Sequence, residues 1–217
     1  MHRTKSLRRC SIAVALAMAL LAWPTISDAQ LGGILPSPPT TTTSTVMGQA
    51  SAARVSVLGI LGTATTTALA DTGTLSGVNG ARDASMVTGS IPAMLSAETL
   101  SAATISWVNQ VDSYASLGNL NMTVAGVGIT ADSVVARASQ VMGSPGTGSS
   151  IFSNLSINGI PIAVTGAPNQ AVWIPGGQVI INEQTISSTG TAVVNALHVA
   201  VAGVADVVIA SATAGIS

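Results

Sequence analysis

Apolar residues recur at every second position along most of this chain, in short β-branched runs broken by Gly, Pro, Asn and Asp. That period places alternate side chains on opposite faces and predicts strands joined by turns. Met122, Val124 and Ile129 mark one face, and Val134, Ala136 and Ala138 continue the alternation. The C-terminal third is clearest. Gln178 to Ile186 reads as one strand, Ser187-Ser188-Thr189-Gly190 as a turn, and Ala192 to Val201 as the returning strand. Gly203 to Asp206 turns the chain again into Val207 to Ala214. Connections this short join antiparallel neighbours, so a meander is expected. The exception is Ile91 to Val108, whose apolar spacing after Pro92 predicts a helix.

A weak echo runs through the middle. Asn119-Leu120 leads into an alternating run ending at Ile129, and Asn154-Leu155 leads through Ile157-Asn158-Gly159 to Val164. Such a repeat suits either paired hairpins of a sandwich or coils of a β-solenoid. The antiparallel meander favours an all-β sandwich, with the solenoid as the alternative.

The N-terminus has a different pattern. Arg3, Lys5, Arg8 and Arg9 precede an apolar run from Ser11 to Trp23, too short to span a bilayer and ended by Pro24. Ser27 and Ala29 are small residues where a signal peptidase reads, so residues 1–29 are expected to be a leader cleaved before Gln30. Cys10 precedes the apolar run and so is misplaced for lipidation, and Ser11 breaks the twin-arginine pattern after Arg8-Arg9. Residues 30–45, rich in Pro and Thr, read as a linker, and 46–217 as one all-β domain. The apolar C-terminal stretch contains Asn195, His198 and Asp206, which oppose a membrane-spanning helix. Aromatic girdles for an outer-membrane barrel are lacking.

Loss of the leader removes the only cysteine, so the mature domain has neither disulfides nor a thiolate metal site. It also leaves only Arg54, Arg82 and Arg137 against an excess of acids. Nucleic-acid binding needs a basic patch, and this chain has none to offer. A weakly charged surface of Ser, Thr and Asn resists association poorly, which points instead to self-association or a cell-surface polymer as partner.

Several motifs invite a chemical reading. Gly143 to Ser150 resembles a phosphate-binding loop, but Ser149 stands where lysine is needed and no helix-forming sequence follows, so a flexible loop between strands is expected. Asp71-Thr72-Gly73 matches the aspartic-protease triplet. Such enzymes need two carboxylates sharing a proton, whereas this triplet occurs once and is also a common turn sequence. Glu183, His198 and Asp206 form the one acid–histidine–acid set of the mature chain, and adjacent strands bring them within reach of each other. No Gly-x-Ser-x-Gly elbow accompanies them, and a lone histidine among apolar neighbours is more often structural. Asn121-Met-Thr and Asn154-Leu-Ser match glycosylation sequons, a pattern that in a bacterial context is usually coincidence. Trp107 and Trp173 are expected in the core, with a stacking role for a glycan as the alternative. No catalytic, cofactor or metal residue is predicted.

From Asn169 onward the chain resembles the choice-of-anchor P family of bacterial surface and secreted proteins. The residues that carry this are Asn169-Gln170, Ile181-Asn182-Glu183-Gln184, Val194-Asn195-Ala196-Leu197-His198-Val199 and Asp206-Val-Val-Ile-Ala-Ser-Ala212. The resemblance covers roughly the last fifty residues well and the alternating region before them loosely. It implies an extracytoplasmic domain and no particular activity. Members carry varied C-terminal sorting signals; here Ala214-Gly-Ile-Ser217 follows the last strand directly, so release or non-covalent association is expected. Asn182, Gln184 and Asn195 lie in apolar strands and need partners, which predicts a side-chain network clamping neighbouring strands, with Glu183 and His198 on it or at its edge. Function is expected to be that of a structural or interaction component of the envelope or matrix. A glycan- or polymer-binding module is the alternative, and a hydrolase through Asp71 or His198 a remote one.

Overall fold

The computed structural model describes residues 44–58 and 63–217. The leader and nearly all of the linker lie outside the described residues. Those described belong to one compact unit, Thr42–Ser217.

Among the described residues every regular element is a strand. In chain order they are β1 (Val46–Leu58), β2 (Ala64–Asp71), β3 (Ala81–Ile91), β4 (Leu95–Ser106), β5 (Gln110–Val124), β6 (Val127–Val141), β7 (Thr147–Ser153), β8 (Ser156–Ile157), β9 (Ile160–Pro161), β10 (Gln170–Ile174), β11 (Gly177–Ile186), β12 (Ala192–Val201) and β13 (Ala205–Ile216). They form two antiparallel sheets packed face to face as a β-sandwich. Sheet A runs β10-β11-β12-β13-β1-β2, and sheet B runs β3-β4-β5-β6. The far edge of β6 is shared between β7, along Ser133–Ser139, and the small β8–β9 hairpin at Ile129–Thr130. The C-terminal meander is present as expected, while the solenoid alternative is not. Thr45 and Ser217 exchange backbone hydrogen bonds of 2.8 and 3.1 Å, closing the ladder between β1 and β13.

A seam crosses both sheets and explains the misread helix. Along β5 the inward residues are Val111, Ala115 and Leu117, then Leu120, Met122 and Val124. The alternation slips by one at Gly118–Asn119. Across the ladder β6 slips at the facing position, from Val127, Ile129 and Ala131 to Val134, Ala136 and Ala138. In sheet A the slip falls between Ala196 and Leu197, Ile209 and Ala210, and Ala52 and Ala53. A slip of one residue ordinarily turns an apolar face to solvent. Here neighbouring strands slip together, so both halves stay inward, and the ladders keep one register on either side of the seam apart from a local shift between β4 and β5 at Glu98. Left-handed residues make the kink: Thr99 (φ 49°), Asn119 (φ 47°), Asn182 (φ 54°) and Ala210 (φ 49°).

The helix predicted over Ile91–Val108 is therefore wrong. Pro92 and Ala93 turn the chain, with Met94 N–H donating to Ile91 O at 3.0 Å, and β4 follows. Leu95 and Ala97 face inward, then Leu100 and Ala102, and the three-residue step across the seam imitates helical spacing. The echo at Asn119 and Asn154 belongs to the same feature. Both are left-handed (φ 47° and 52°), and each donates to an acid on the neighbouring strand, Asn119 to Glu98 at 2.7 Å and Asn154 to Asp132 at 2.6 Å.

The interior is aliphatic, filled by Leu100, Leu117, Met122, Ile129, Ile181, Leu197 and Ile209 and by many alanines. Burial of a Leu or Ile side chain contributes about 1.5–3 kcal/mol. Small residues let the sheets approach closely: a Cβ on Gly48 would meet the Thr104 hydroxyl, and one on Gly148 would meet Val194. At this closeness polar side chains bridge the sheets. Ser113 Oγ donates to Thr213 O at 2.6 Å and lies 2.8 Å from Thr104 Oγ1. Gln140 accepts from Ile216 N–H at 2.9 Å and donates to Thr189 O at 3.1 Å and Ser144 O at 3.2 Å.

Candidate functional site

The residues predicted to form one clamp separate into two networks. In the first, Asn169 sits just before β10 in a left-handed conformation (φ 59°) and reads the edge of β11. Its Oδ1 accepts from Gln184 N–H at 2.9 Å, and its Nδ2 donates to Gln184 O at 3.4 Å. Buried Asn182 donates to Gly166 O at 3.0 Å and accepts from Gln184 Nε2 at 2.9 Å. Gln170 accepts from Thr165 N–H and Oγ1 at 2.9 Å and donates to Ala163 O at 2.9 Å. These amides replace the missing backbone ladder of the segment that enters β10. Their work is loop closure, because each buried or part-buried polar group finds its partner there.

The second network lies on the outward face of sheet A. Outward positions on β11, β12 and β13 put Glu183, Asn195, His198, Asp206 and Ser211 on one surface, with Glu183 paired to Asn195, Asn195 to Ser211, and His198 to Val208. His198 Nδ1 is 3.0 Å from Glu183 Oε1, and Nε2 is 2.9 Å from Asp206 Oδ2. Asn195 Nδ2 donates to Glu183 Oε2 at 2.6 Å, and Ser211 Oγ donates to Asn195 Oδ1 at 2.7 Å. The chain of contacts spans all three strands of the meander.

Charge follows from this geometry. The Glu183 hydrogen bond, with Asp206 beside it, pushes His198 up to about 9 against the opposing effect of burial. The same His198 bond, aided by Asn195, holds Glu183 below the ordinary carboxylate value although burial opposes it. At neutral pH His198 is thus an imidazolium donating from both nitrogens. A ring with no free lone pair accepts no proton from a nucleophile, so this set is poor general-base machinery. The two acids bracket the ring instead of converging on a point. Among the described residues no group of His, Cys, Asp or Glu is arranged to hold a metal ion.

Asp71 closes β2 on the same face. Burial raises it, but the Gly73 N–H at 2.7 Å, Arg54 Nη2 at 3.0 Å and Gln49 together outweigh that and hold its carboxyl below the usual range. Asp71-Thr72-Gly73 is accordingly an Asp-capped turn with an ionised side chain, the opposite of a carboxyl poised to share a proton.

Three sequence expectations need correction. Thr147 to Ser150, read as loop, begin strand β7, because Gly148 fits closely beneath Val194 and Gly146 N–H bonds Gly190 O at 2.7 Å. Trp107 and Trp173, expected in the core, are 44% and 80% exposed. Trp107 starts the β4–β5 turn, and Trp173 takes an outward position on the edge strand β10. The sequence reading passed over Gln140 and Ser113 altogether. Their signal was a polar residue on the inward parity of an otherwise apolar strand.

Comparison with protein-family models, with curated proteins and with solved structures finds no match to this chain. No helix among the described residues is long and apolar enough to cross a membrane.

Proposed function

We propose that this chain is an exported extracytoplasmic module of the choice-of-anchor P kind, acting as a structural or interaction component of the cell envelope or matrix and associating with itself through sheet edges. The observation that carries the reading is β3. It is the outer strand of sheet B, ten of its residues pair with β4, and among the described residues no strand pairs with its other edge. From Ala84 to Ile91 it has neither charge nor proline, and Val87 is 83% exposed. Proteins that must stay single blunt such edges with lysine, proline or a short strand, because open N–H and C=O groups template pairing with another chain. The sheet A edge on the same side, β2, is uncharged from Ala64 to Ala70. A neutral surface of hydroxyl and amide groups adds little repulsion between copies.

The test is sedimentation of the exported protein over a range of concentrations, with Val87→Lys beside it and fractionation of the producing cell. Concentration-dependent association that Val87→Lys abolishes, with recovery from the surface or matrix fraction, supports the reading. A wild type that stays monomeric at high concentration and is recovered free in the medium defeats it.

A further inference from the structure

We infer a second, independent site: a platform for a neutral, extended polysaccharide on the outward face of sheet A, centred on Trp173. This goes beyond the edge-association reading and names a chemistry of partner for a different surface.

The register fixes a straight transverse row. Trp173 pairs with Gln178, Gln178 with Ala200, Ala200 with Asp206, and Asp206 with Ser56. Trp173 sits at the outer edge of this row and is 80% exposed. Its neighbours Val172 and Ile174 pack on the core and hold β10 in place. The Pro175-Gly176 turn (Gly176 φ 76°) ties β10 directly to β11, so the indole stands on a tightly turned hairpin. Beside it lies a cleft of about 540 Å³ lined by small residues such as Gly177, Ala200 and Gly203 and by apolar Leu58 and Val204.

Hydrogen-bonding capacity is left over along the row. Asp206 accepts from His198 through Oδ2, and its side chain is 56% exposed, so Oδ1 stays available to a hydroxyl donor. Gln178 lines the same cleft with an amide able to donate and accept. An aromatic face beside a carboxylate and an amide is what a sugar ring uses: C–H groups on the indole, hydroxyls on the polar groups. Strands lie about 4.8 Å apart, so Trp173 to Asp206 spans about 14 Å, the length of a few sugar residues of an extended chain. Ala200, with the smallest outward side chain of the row, leaves the middle clear for a ring.

Charge selects among polymers. Glu183 and Asp206 flank the single His198 cation, so the nearby acids outnumber it, and Arg54 is held by Asp71. Anionic polymers are repelled from this surface and neutral ones are not.

The probes are cellohexaose and chitohexaose, with alginate as the anionic comparison, titrated against the full exported chain by calorimetry and tryptophan fluorescence. The expected result is saturable binding of at least one neutral hexasaccharide, about tenfold weaker in Trp173→Ala. Asp206→Ala is expected to weaken it and Trp107→Ala to leave it unchanged. Binding unchanged in Trp173→Ala, binding of alginate alone, or no binding to either neutral probe overturns the inference. The Val87→Lys variant separates the two proposals: it is expected to keep sugar binding while losing self-association, and loss of both together would tie the binding to assembly and overturn an independent site.

Discussion

Gln140 lies between the two sheets and ties together segments far apart in sequence, whereas His198 lies on the outside of one sheet and ties neighbouring strands of the meander. Gln140 is neutral, 2% exposed, and bonded to backbone groups of three separate segments. His198 is charged, half-buried, and bonded only to the carboxylates of Glu183 and Asp206. The inner clamp therefore holds the sandwich together at any ordinary pH, whereas the outer one depends on protonation. A close-packed interior selects a fixed neutral amide, because an ion placed there carries a large desolvation penalty. Solvent beside the outer face makes a cation between two carboxylates tolerable.

The strongest way to break this contrast is Gln140→Ala. It strands the buried Ile216 N–H and leaves a void, and is expected to cost about 3 kcal/mol. Urea unfolding should show that loss undiminished from pH 5 to pH 9. A smaller loss that varied with pH would erase the distinction between the clamps.

Next comes the pH dependence of the outer clamp. His198 has its folded value raised from 6.5 to about 9, so its contribution is complete below pH 6.5 and is lost as pH rises through 9. Glu183 has its folded value lowered from 4.5, so its contribution is present above pH 4.5 and is lost as pH falls through the lower folded value. The wild type should be most stable between those limits and lose on the order of 2 kcal/mol on the alkaline side, allowing for solvent screening. His198→Gln should flatten the alkaline arm in a denaturation series across pH. An unchanged arm would assign the loss to another group.

Thr104→Val sharpens the comparison on the inner side. It removes the hydroxyl beside Ser113 while Ser113 keeps its bond to Thr213 O, so about 1 kcal/mol is expected from the unfolding midpoint. The smallest effect concerns a turn outside both clamps. Ala125 and Gly126 join β5 to β6 at φ 50° and 80°, the same left-handed pair that Asn158-Gly159 forms at 50° and 74°. Ala125→Asn gives the first turn the residue already used by the second and should raise thermal stability by about 0.5–1 kcal/mol.

Much of the architecture was legible in the residues themselves. Period-two alternation and short turns gave the meander, because an antiparallel ladder with one buried face demands that pattern locally. The Glu183–His198–Asp206 set was also visible, since its members occupy outward positions of adjacent strands in a register that short turns impose. The helix error over Ile91–Val108 came from a phase slip at Glu98–Thr99 whose meaning lies in its neighbours. One strand that slips looks like a helix or a break, and only strands slipping together form a seam.

The sequence by itself determined strand-forming segments, the parity of their faces and the scarcity of charge, all of which are local properties of the chain. The tertiary structure alone decided which polar residues became inter-sheet clamps and which faced solvent. It decided also that Trp107 and Trp173 stand outside, and that among the described residues β3 is left at the edge of its sheet. Those outcomes depend on which distant strand comes to lie opposite each residue, and pairings of that kind are set by packing of the whole sandwich and not by any one segment.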